Sequence, residues 1–167
     1  MIKITDGQAE LKVVKTRKEG KGEESKILGL DMTFACVTKA EGVTPDIFGN
    51  PSQVFWDDDE EKNPLFFGLK AITSDSKVKN ATLQFAGNVF DHSATLSKWA
   101  FRPCAHGMIQ LTFLASVSDP TRDQRIGVLA KLLKPGKLEV EGELNLLDQM
   151  NDDEPEAEHD DSQLEFD

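Results

Sequence analysis

The segment Met108-Ile109-Gln110-Leu111-Thr112-Phe113-Leu114-Ala115-Ser116-Val117 decides the fold class of this chain of 167 residues. Apolar side chains recur at every second position from Ile109 to Ala115, which is the period of a β-strand that covers a core with one face. A second segment, Ile27 to Val37, repeats the pattern with one face made by Leu28, Leu30, Met32, Phe34 and Cys36. Two such segments predict that a sheet forms the core of the domain.

Further strands are predicted around these two. We expect them at residues 8–15, 65–73, 77–89 and 137–147, while residues 94–102 are ambiguous and residues 15–26 form an exposed hairpin tip. Residues 41–64 form an excursion with one helical turn. Asp119 and Pro120 are a helix-start signal, with Asp119 as the capping residue. The spacing of the apolar residues that follow predicts an amphipathic helix, whose apolar face comprises Ile126, Leu129, Ala130 and Leu133.

This order of elements indicates a fold class. About six strands and one helix, with no alternation of strand and helix, are typical of a mainly β domain with an antiparallel sheet. A five-stranded barrel of the oligonucleotide-binding type fits the size of the domain, and a small β-sandwich is the alternative. The predicted domain covers residues 1–147, and residues 148–167 are predicted to be a disordered acidic tail.

The charge is unevenly distributed along the chain. The formal net charge is −11, and residues 148–167 contain ten acidic residues and no lysine or arginine, so the tail alone carries −10. The remaining 147 residues carry −1, and five of their acids form the single run Asp57–Glu61. The sequence therefore predicts a nearly neutral body with local basic segments and an acidic arm.

The sequence argues against a membrane protein, a secreted protein, an enzyme and a metal-binding protein. No apolar stretch approaches the roughly 20 residues of a membrane span, and the N-terminus lacks the apolar region of a secretory signal, so we expect a cytoplasmic protein. Asp91-His92-Ser93 cannot form a catalytic relay, because neighbours on an extended chain point to opposite sides. Cys104-Ala105-His106 does not match zinc-site spacing, and Asp57–Glu61 lacks the glycine of a calcium loop. We expect no catalytic residues, no metal and no cofactor, and we expect Cys36 and Cys104 to be reduced core residues.

Two segments have the composition of a single-stranded nucleic-acid binder. The first is the basic hairpin, whose phosphate-binding candidates are Lys12, Lys15, Arg17, Lys18 and Lys21. The second is Lys98-Trp99-Ala100-Phe101-Arg102, where cations could neutralise phosphates while Trp99 and Phe101 stack on bases. The alternatives are a solvated hairpin for the first segment and an ordinary core strand for the second. Trp56 is a reserve stacking candidate, for which a core position is favoured.

The tail carries the strongest functional signal. Its sequence, Asn151-Asp152-Asp153-Glu154-Pro155-Glu156-Ala157-Glu158-His159-Asp160-Asp161-Ser162-Gln163-Leu164-Glu165-Phe166-Asp167, sets two apolar residues among carboxylates after an acidic spacer. Such a short linear motif can insert an aromatic ring into a basic-rimmed pocket. The candidate partner-binding residues are Asp160, Asp161, Leu164, Glu165, Phe166 and Asp167. With this tail after a β-rich domain, the chain resembles bacterial and phage single-stranded DNA-binding proteins.

The resemblance implies a function. The chain would be a non-catalytic single-stranded DNA-binding protein of phage-type DNA replication and recombination, in the cytoplasm of a bacterial host if it is phage-encoded. The tail would compete with DNA for the basic groove and recruit replication or recombination proteins. No membrane partner is expected, and a homodimer stays open. The alternative is an acidic adaptor or DNA mimic that inhibits a basic host protein; a small enzyme or a structural component of a virion also stays open.

Overall fold

A computed structural model of the chain describes residues 1–19, 27–49, 55–65 and 71–145. The strands are β1 (Ile2–Glu19), β2 (Ile27–Lys39), β3 (Ile72–Ser74), β4 (Val78–Phe85), β5 (Asn88–Pro103), β6 (Met108–Ser118) and β7 (Pro135–Gly142). The α-helices are α1 (Thr44–Ile47) and α2 (Arg122–Leu129), and Ala40–Gly42 and Ala105–Gly107 are short 3-10 turns. The prediction of a mainly β domain with an antiparallel sheet is confirmed. In the described ranges, no helix combines the length and apolar character needed to cross a bilayer.

The sheet closes on itself. Its strand order is β3-β5-β4-β7-β1-β2-β6, and β5 also pairs with β6, so β1, β2, β6, β5, β4 and β7 form a ring. All of these pairings are antiparallel. Because strand direction alternates around such a ring, the ring requires an even number of strands, and six of the seven described strands form it. The short strand β3 adds to β5 next to β4.

Two long strands make this closure possible. β1 pairs with β7 over residues 2–10 and with β2 over residues 8–19, so different parts of one strand pair with different neighbours. β5 pairs with β4 over residues 88–96 and with β6 over residues 94–103. Strands that change neighbour along their length are tilted relative to the ring axis, as closed sheets require.

The interior of the ring is filled by aromatic rings. Phe85 packs edge-on against Phe34 at a centroid distance of 5.1 Å, Phe34 stacks on Phe113 at 5.5 Å, and Phe113 stacks on Trp99 at 5.1 Å. All four side chains are at most 1% exposed. Burying each of them stabilises the fold by roughly 1.5–3 kcal/mol relative to an exposed position. The predicted inward face of β6, from Ile109 to Ala115, is confirmed.

Backbone irregularities with a positive φ shift the inward face at four places, in addition to the register shift between Leu11 and Val13 of β1. Asp6, Asn80, His92 and Lys98 have φ of 55°, 55°, 47° and 53°. Each lies within a register shift between paired strands, where one strand has extra residues relative to its neighbour. A bulge of this kind displaces the alternation of side chains. This explains why residues 94–102 are ambiguous in sequence. Residues 77–89, predicted as one strand, are instead two strands joined by a tight turn in which Ala86 and Gly87 have φ of 48° and 89°.

The helix after β6 differs from its prediction in two respects. It begins with Thr121 as N-cap, not Asp119, because Thr121 and Gln124 form a reciprocal capping box. The predicted apolar face points to solvent, since Ile126, Leu129 and Leu133 are 54%, 49% and 63% exposed. The buried helix residue is Val128. Contacts on that opposite side hold the helix: Gln124 Nε2 donates to the Val89 carbonyl at 2.9 Å.

Candidate nucleic-acid interface

Five of the seven predicted cations lie on one outer surface of the ring, across four neighbouring strands. Register places Lys15 beside Asp31, Asp31 beside Ser116, and Ser116 beside Thr95. One edge of the same surface is β1, and the far edge is the part of β5 that carries Lys98 and Arg102. We call it the cation-framed face and define it by the outward residues Glu10, Lys12, Val13, Lys15, Arg17, Asp31, Thr33, Ala35, Val37, Thr95, Ser97, Lys98, Ala100, Arg102, Gln110, Thr112, Leu114 and Ser116.

The middle of this face is almost free of charge. β2 and β6 contribute small or neutral side chains there, apart from Asp31. At the spacing of about 4.8 Å between neighbouring strands, the three steps from β1 to β5 span roughly 14 Å of sheet. Sequence reasoning missed this central strip, although polar residues that alternate with the core residues of β6, such as Gln110 and Thr112, are its signal.

Some of the cations are paired within the face and others are not. Lys12 Nζ lies 2.9 Å from a Glu10 carboxylate oxygen. The Arg17 guanidinium Nε lies 3.1 and 3.2 Å from the two carboxylate oxygens of Asp31. Lys15, Lys98 and Arg102 are exposed and form no ion pair with another residue in the described ranges. Positive charge is therefore accessible at both edges of the face.

The two predicted stacking residues lie in the core, which corrects that part of the prediction. Trp99 is 1% exposed and Phe101 is 0% exposed. The Trp99 Nε1–H donates to the Ser76 carbonyl at 2.8 Å, and Phe101 packs against Phe48 with ring centroids 4.5 Å apart. The reason is the bulge at Lys98, which directs Lys98 and Arg102 outward while both rings point inward. Neither ring can stack on a base in this arrangement.

Trp56 is also a core residue, as favoured from the sequence. It is 4% exposed, and its Nε1–H donates to the Cys104 carbonyl at 2.7 Å. Within the described ranges, no aromatic side chain is among the exposed large hydrophobic residues. The cation-framed face thus offers charge and neutral polar groups but no stacking ring.

The remaining predicted residues divide into two groups. Lys18 is exposed near the end of β1, one position beyond Arg17 and so on the opposite face of the strand. Lys21 and the tail candidates lie outside the described residues: Asp160, Asp161, Leu164, Glu165, Phe166 and Asp167. The structure therefore brings Lys12, Lys15, Arg17, Lys98 and Arg102 onto one face and leaves Lys18 apart.

The far side of the ring carries charges of both signs. β7 and β4 lie beside each other there, and the first residues of β1 pair with β7. The outward carboxylates Glu139, Glu141 and Glu143 lie among the cations Lys3, Lys79 and Lys137. Lys137 lies 2.7 Å from Asp6 and 2.9 Å from Glu139. Hydrogen bonds to these two carboxylates raise the pKa of Lys137. We call this outward surface the β7–β4 face.

No metal site emerges from the described part of the chain. There, no three His, Cys, Asp or Glu side chains lie close enough together to hold an ion. Cys36 is buried, and burial raises the pKa of its thiol to about 12, whereas Cys104 is only partly buried.

Comparison with protein families, with curated proteins and with solved structures finds no match to this chain.

Proposed function

We propose that the chain is a non-catalytic protein that binds single-stranded DNA on the cation-framed face. The observation that supports this proposal most directly is the placement of Lys15, Lys98 and Arg102. These exposed cations, which have no carboxylate partner among the described residues, stand on either side of a neutral strip. A phosphate backbone that crosses the strip can meet positive charge at both edges without meeting a run of carboxylates.

Binding of this kind depends on phosphate contacts more than on stacking. Because no exposed aromatic ring is present on the face as described, the base-stacking contribution of roughly 1–3 kcal/mol per base is not expected from it. We therefore expect low sequence specificity and a steep dependence of affinity on salt concentration. The finer form of the fold, an oligonucleotide-binding-type barrel, belongs to the same proposal.

The tail has a regulatory part in this function. Its charge of −10 follows directly after the domain, so its local concentration near the face is high. We infer that the tail competes with DNA for the cation-framed face and that DNA displaces it. As the resemblance to phage and bacterial single-stranded DNA-binding proteins suggests, a displaced tail would recruit replication or recombination proteins.

Fluorescence anisotropy of a labelled 30-mer of single-stranded DNA tests the proposal. Full-length protein and a chain ending at residue 147 are titrated at about 50 and 200 mM salt. The truncation leaves all the described strands in place, since the ring is complete at Gly142. We expect binding by both chains that weakens with salt, and tighter binding by the shorter chain.

One result favours the alternative function. If neither chain binds DNA at 50 mM salt, the cation-framed face is ordinary solvated surface, and the proposal fails. The tail would then support an acidic adaptor or DNA mimic, because its ten acidic residues, with no lysine or arginine among them, match a basic partner. Equal DNA affinity with and without the tail would contradict only the inference that the tail competes with DNA for the face.

A further inference from the structure

The outward surface of α2 is unusually apolar for a helix on the outside of the ring. Ile126, Leu129 and Leu133 are 54%, 49% and 63% exposed. Ile126 and Leu129 are three residues apart on one side of the helix, and Leu133 follows in the turn after it, where its φ is 60°. We call these three side chains the α2 patch. Contiguous apolar surface of this kind marks an interaction site more often than scattered single residues do.

The orientation of α2 is fixed by the opposite side of the helix. Val128 is fully buried, and Gly127 lies so close to Asn88 that an added Cβ would stand 2.1 Å from the Asn88 side-chain oxygen. Gln124 is held by its hydrogen bond to the Val89 carbonyl. Rotating the helix to bury the α2 patch would break these contacts, so the patch stays available to a ligand.

Cations surround the α2 patch. Arg122 lies one turn before Ile126 on the same side of the helix, and Lys131 and Lys134 follow the helix; all three are exposed. Between residues 119 and 134 there are four cations and two acids. A ligand that matches this surface carries apolar side chains together with negative charge.

The tail of this chain has that chemistry. Leu164 and Phe166 alternate with acidic residues at Glu165 and Asp167. Length also permits the contact: the 21 peptide links from Asn145 to Phe166 have an r.m.s. span of about 25 Å as a flexible chain and reach about 70 Å when extended. α2 precedes the start of β7 and Asn145 follows its end, so the distance to cover is about the length of the strand, roughly 27 Å for its eight residues.

We propose that Leu164 and Phe166 dock on the α2 patch of the same chain, with the neighbouring carboxylates facing Arg122, Lys131 and Lys134. This inference deepens the tail's part of the proposed function and rests on it. The turn after α2 contacts β1 directly, because the Leu133 amide donates to the Leu11 carbonyl at 2.9 Å. A tip anchored there holds the acidic spacer next to Lys12 and Lys15, where it competes with DNA.

Photo-crosslinking in the full chain tests the docking without DNA. Phe166→p-benzoylphenylalanine is introduced, the dilute protein is irradiated, and crosslinked peptides are mapped by mass spectrometry. We expect crosslinks to residues 122–134 within one chain. Ile126→Ser with Leu129→Ser should reduce them at least fivefold, whereas the matched control, Val37→Ser with Leu65→Ser, removes two exposed apolar side chains elsewhere and should leave them unchanged.

Hydrogen exchange gives a second readout on an otherwise natural chain. Phe166→Ser should speed amide exchange in residues 122–134, while Ala157→Ser in the tail should not. Crosslinks that fall mainly on β1, β2 or β6, or that persist in the Ile126→Ser, Leu129→Ser chain, would overturn the docking. The same holds for unchanged exchange in the Phe166→Ser chain. Because neither experiment contains DNA, loss of the docking and loss of DNA binding are distinguished.

Discussion

The cation-framed face and the β7–β4 face are built by the same kind of strand but differ in their balance of charge. On both, inward residues fill one core, so the outward residues are free to vary. Five cations and two carboxylates lie on the cation-framed face, whereas Lys3, Lys79 and Lys137 lie among Glu139, Glu141 and Glu143 on the β7–β4 face. The difference shows that the net charge of −11 conceals one face with an excess of cations. A polyanion meets an excess of positive charge on the cation-framed face and a mixture of charges on the β7–β4 face.

The largest change in DNA affinity is expected from charge reversal of the three cations that have no carboxylate partner among the described residues. Lys15→Glu, Lys98→Glu and Arg102→Glu together should weaken single-stranded DNA binding by roughly 10²–10³-fold at 50 mM salt. The slope of log K against log salt concentration should become shallower by about 2, the value for three lost phosphate contacts. Anisotropy titrations over a range of salt concentrations measure both effects.

The matched control reverses three cations outside the face, with Lys3→Glu, Lys62→Glu and Lys79→Glu. Each set changes the net charge from −11 to −17, so long-range repulsion is the same. If the control weakens binding as much as the first set, then DNA affinity reflects total charge and the two faces are equivalent.

The assignment of Trp99 to the interior predicts the next largest effect. Trp99→Phe removes the hydrogen bond to the Ser76 carbonyl and part of a packed ring, and it should lower the free energy of unfolding by about 1–3 kcal/mol. DNA affinity of the folded protein should not change, because the ring does not reach the surface. Urea unfolding followed by circular dichroism, with anisotropy in parallel, checks both; a loss of affinity with unchanged stability would show that Trp99 contacts DNA.

Removing the carboxylates of the cation-framed face sharpens the comparison. Glu10→Gln with Asp31→Asn removes the two carboxylates of the face that lie beside Lys12 and Arg17, and DNA binding should become roughly 3–10-fold tighter. Glu139→Gln with Glu141→Gln makes the same change of charge on the β7–β4 face, and its effect on the logarithm of the DNA affinity should be less than half as large. Equal gains from both pairs would contradict a localised binding face.

The smallest effect concerns the two thiols. Cys104 should be alkylated by iodoacetamide at pH 8, while Cys36 should remain unmodified until the protein unfolds, because burial raises its pKa to about 12 and excludes the reagent. A folded-state pKa above the unfolded value of 9.0 stabilises the fold below pH 9, and this stability is lost as the pH rises toward 12. Mass spectrometry of the labelled protein is the measurement, and rapid labelling of Cys36 in the native state would show an open β2.

Regular alternation made much of the ring predictable. β2 and β6 follow period two without interruption in their core residues, so their inward faces could be read from Met32, Phe34 and Ile109. β5 could not be read in this way, because its bulge places Leu96 and Trp99, three residues apart, on the same side. A lysine with φ of 53° carries no local signal of a bulge.

The candidate site was predictable in its cations and not in its aromatic rings. An outward lysine and an inward tryptophan are both compatible with a pattern of two cations and two aromatics, and only the pairing of β5 with β6 decides between them. The face of α2 was misassigned for a similar reason. Helical periodicity shows that Ile126 and Leu129 share one side, whereas the contacts of Gly127 and Gln124 decide which side meets the ring.

Closure of the ring has a consequence for how the chain folds. Ile2 pairs with Gly142, so the first strand finds one of its two neighbours at nearly the far end of the domain. Contacts of such large sequence separation give a high contact order, which is typical of domains that fold in milliseconds to seconds. Until β7 arrives, one edge of β1 and one edge of β4 are unpaired, and both are open to strands from other molecules. The protein should therefore be most prone to aggregation during folding, and least prone once the last strand has paired.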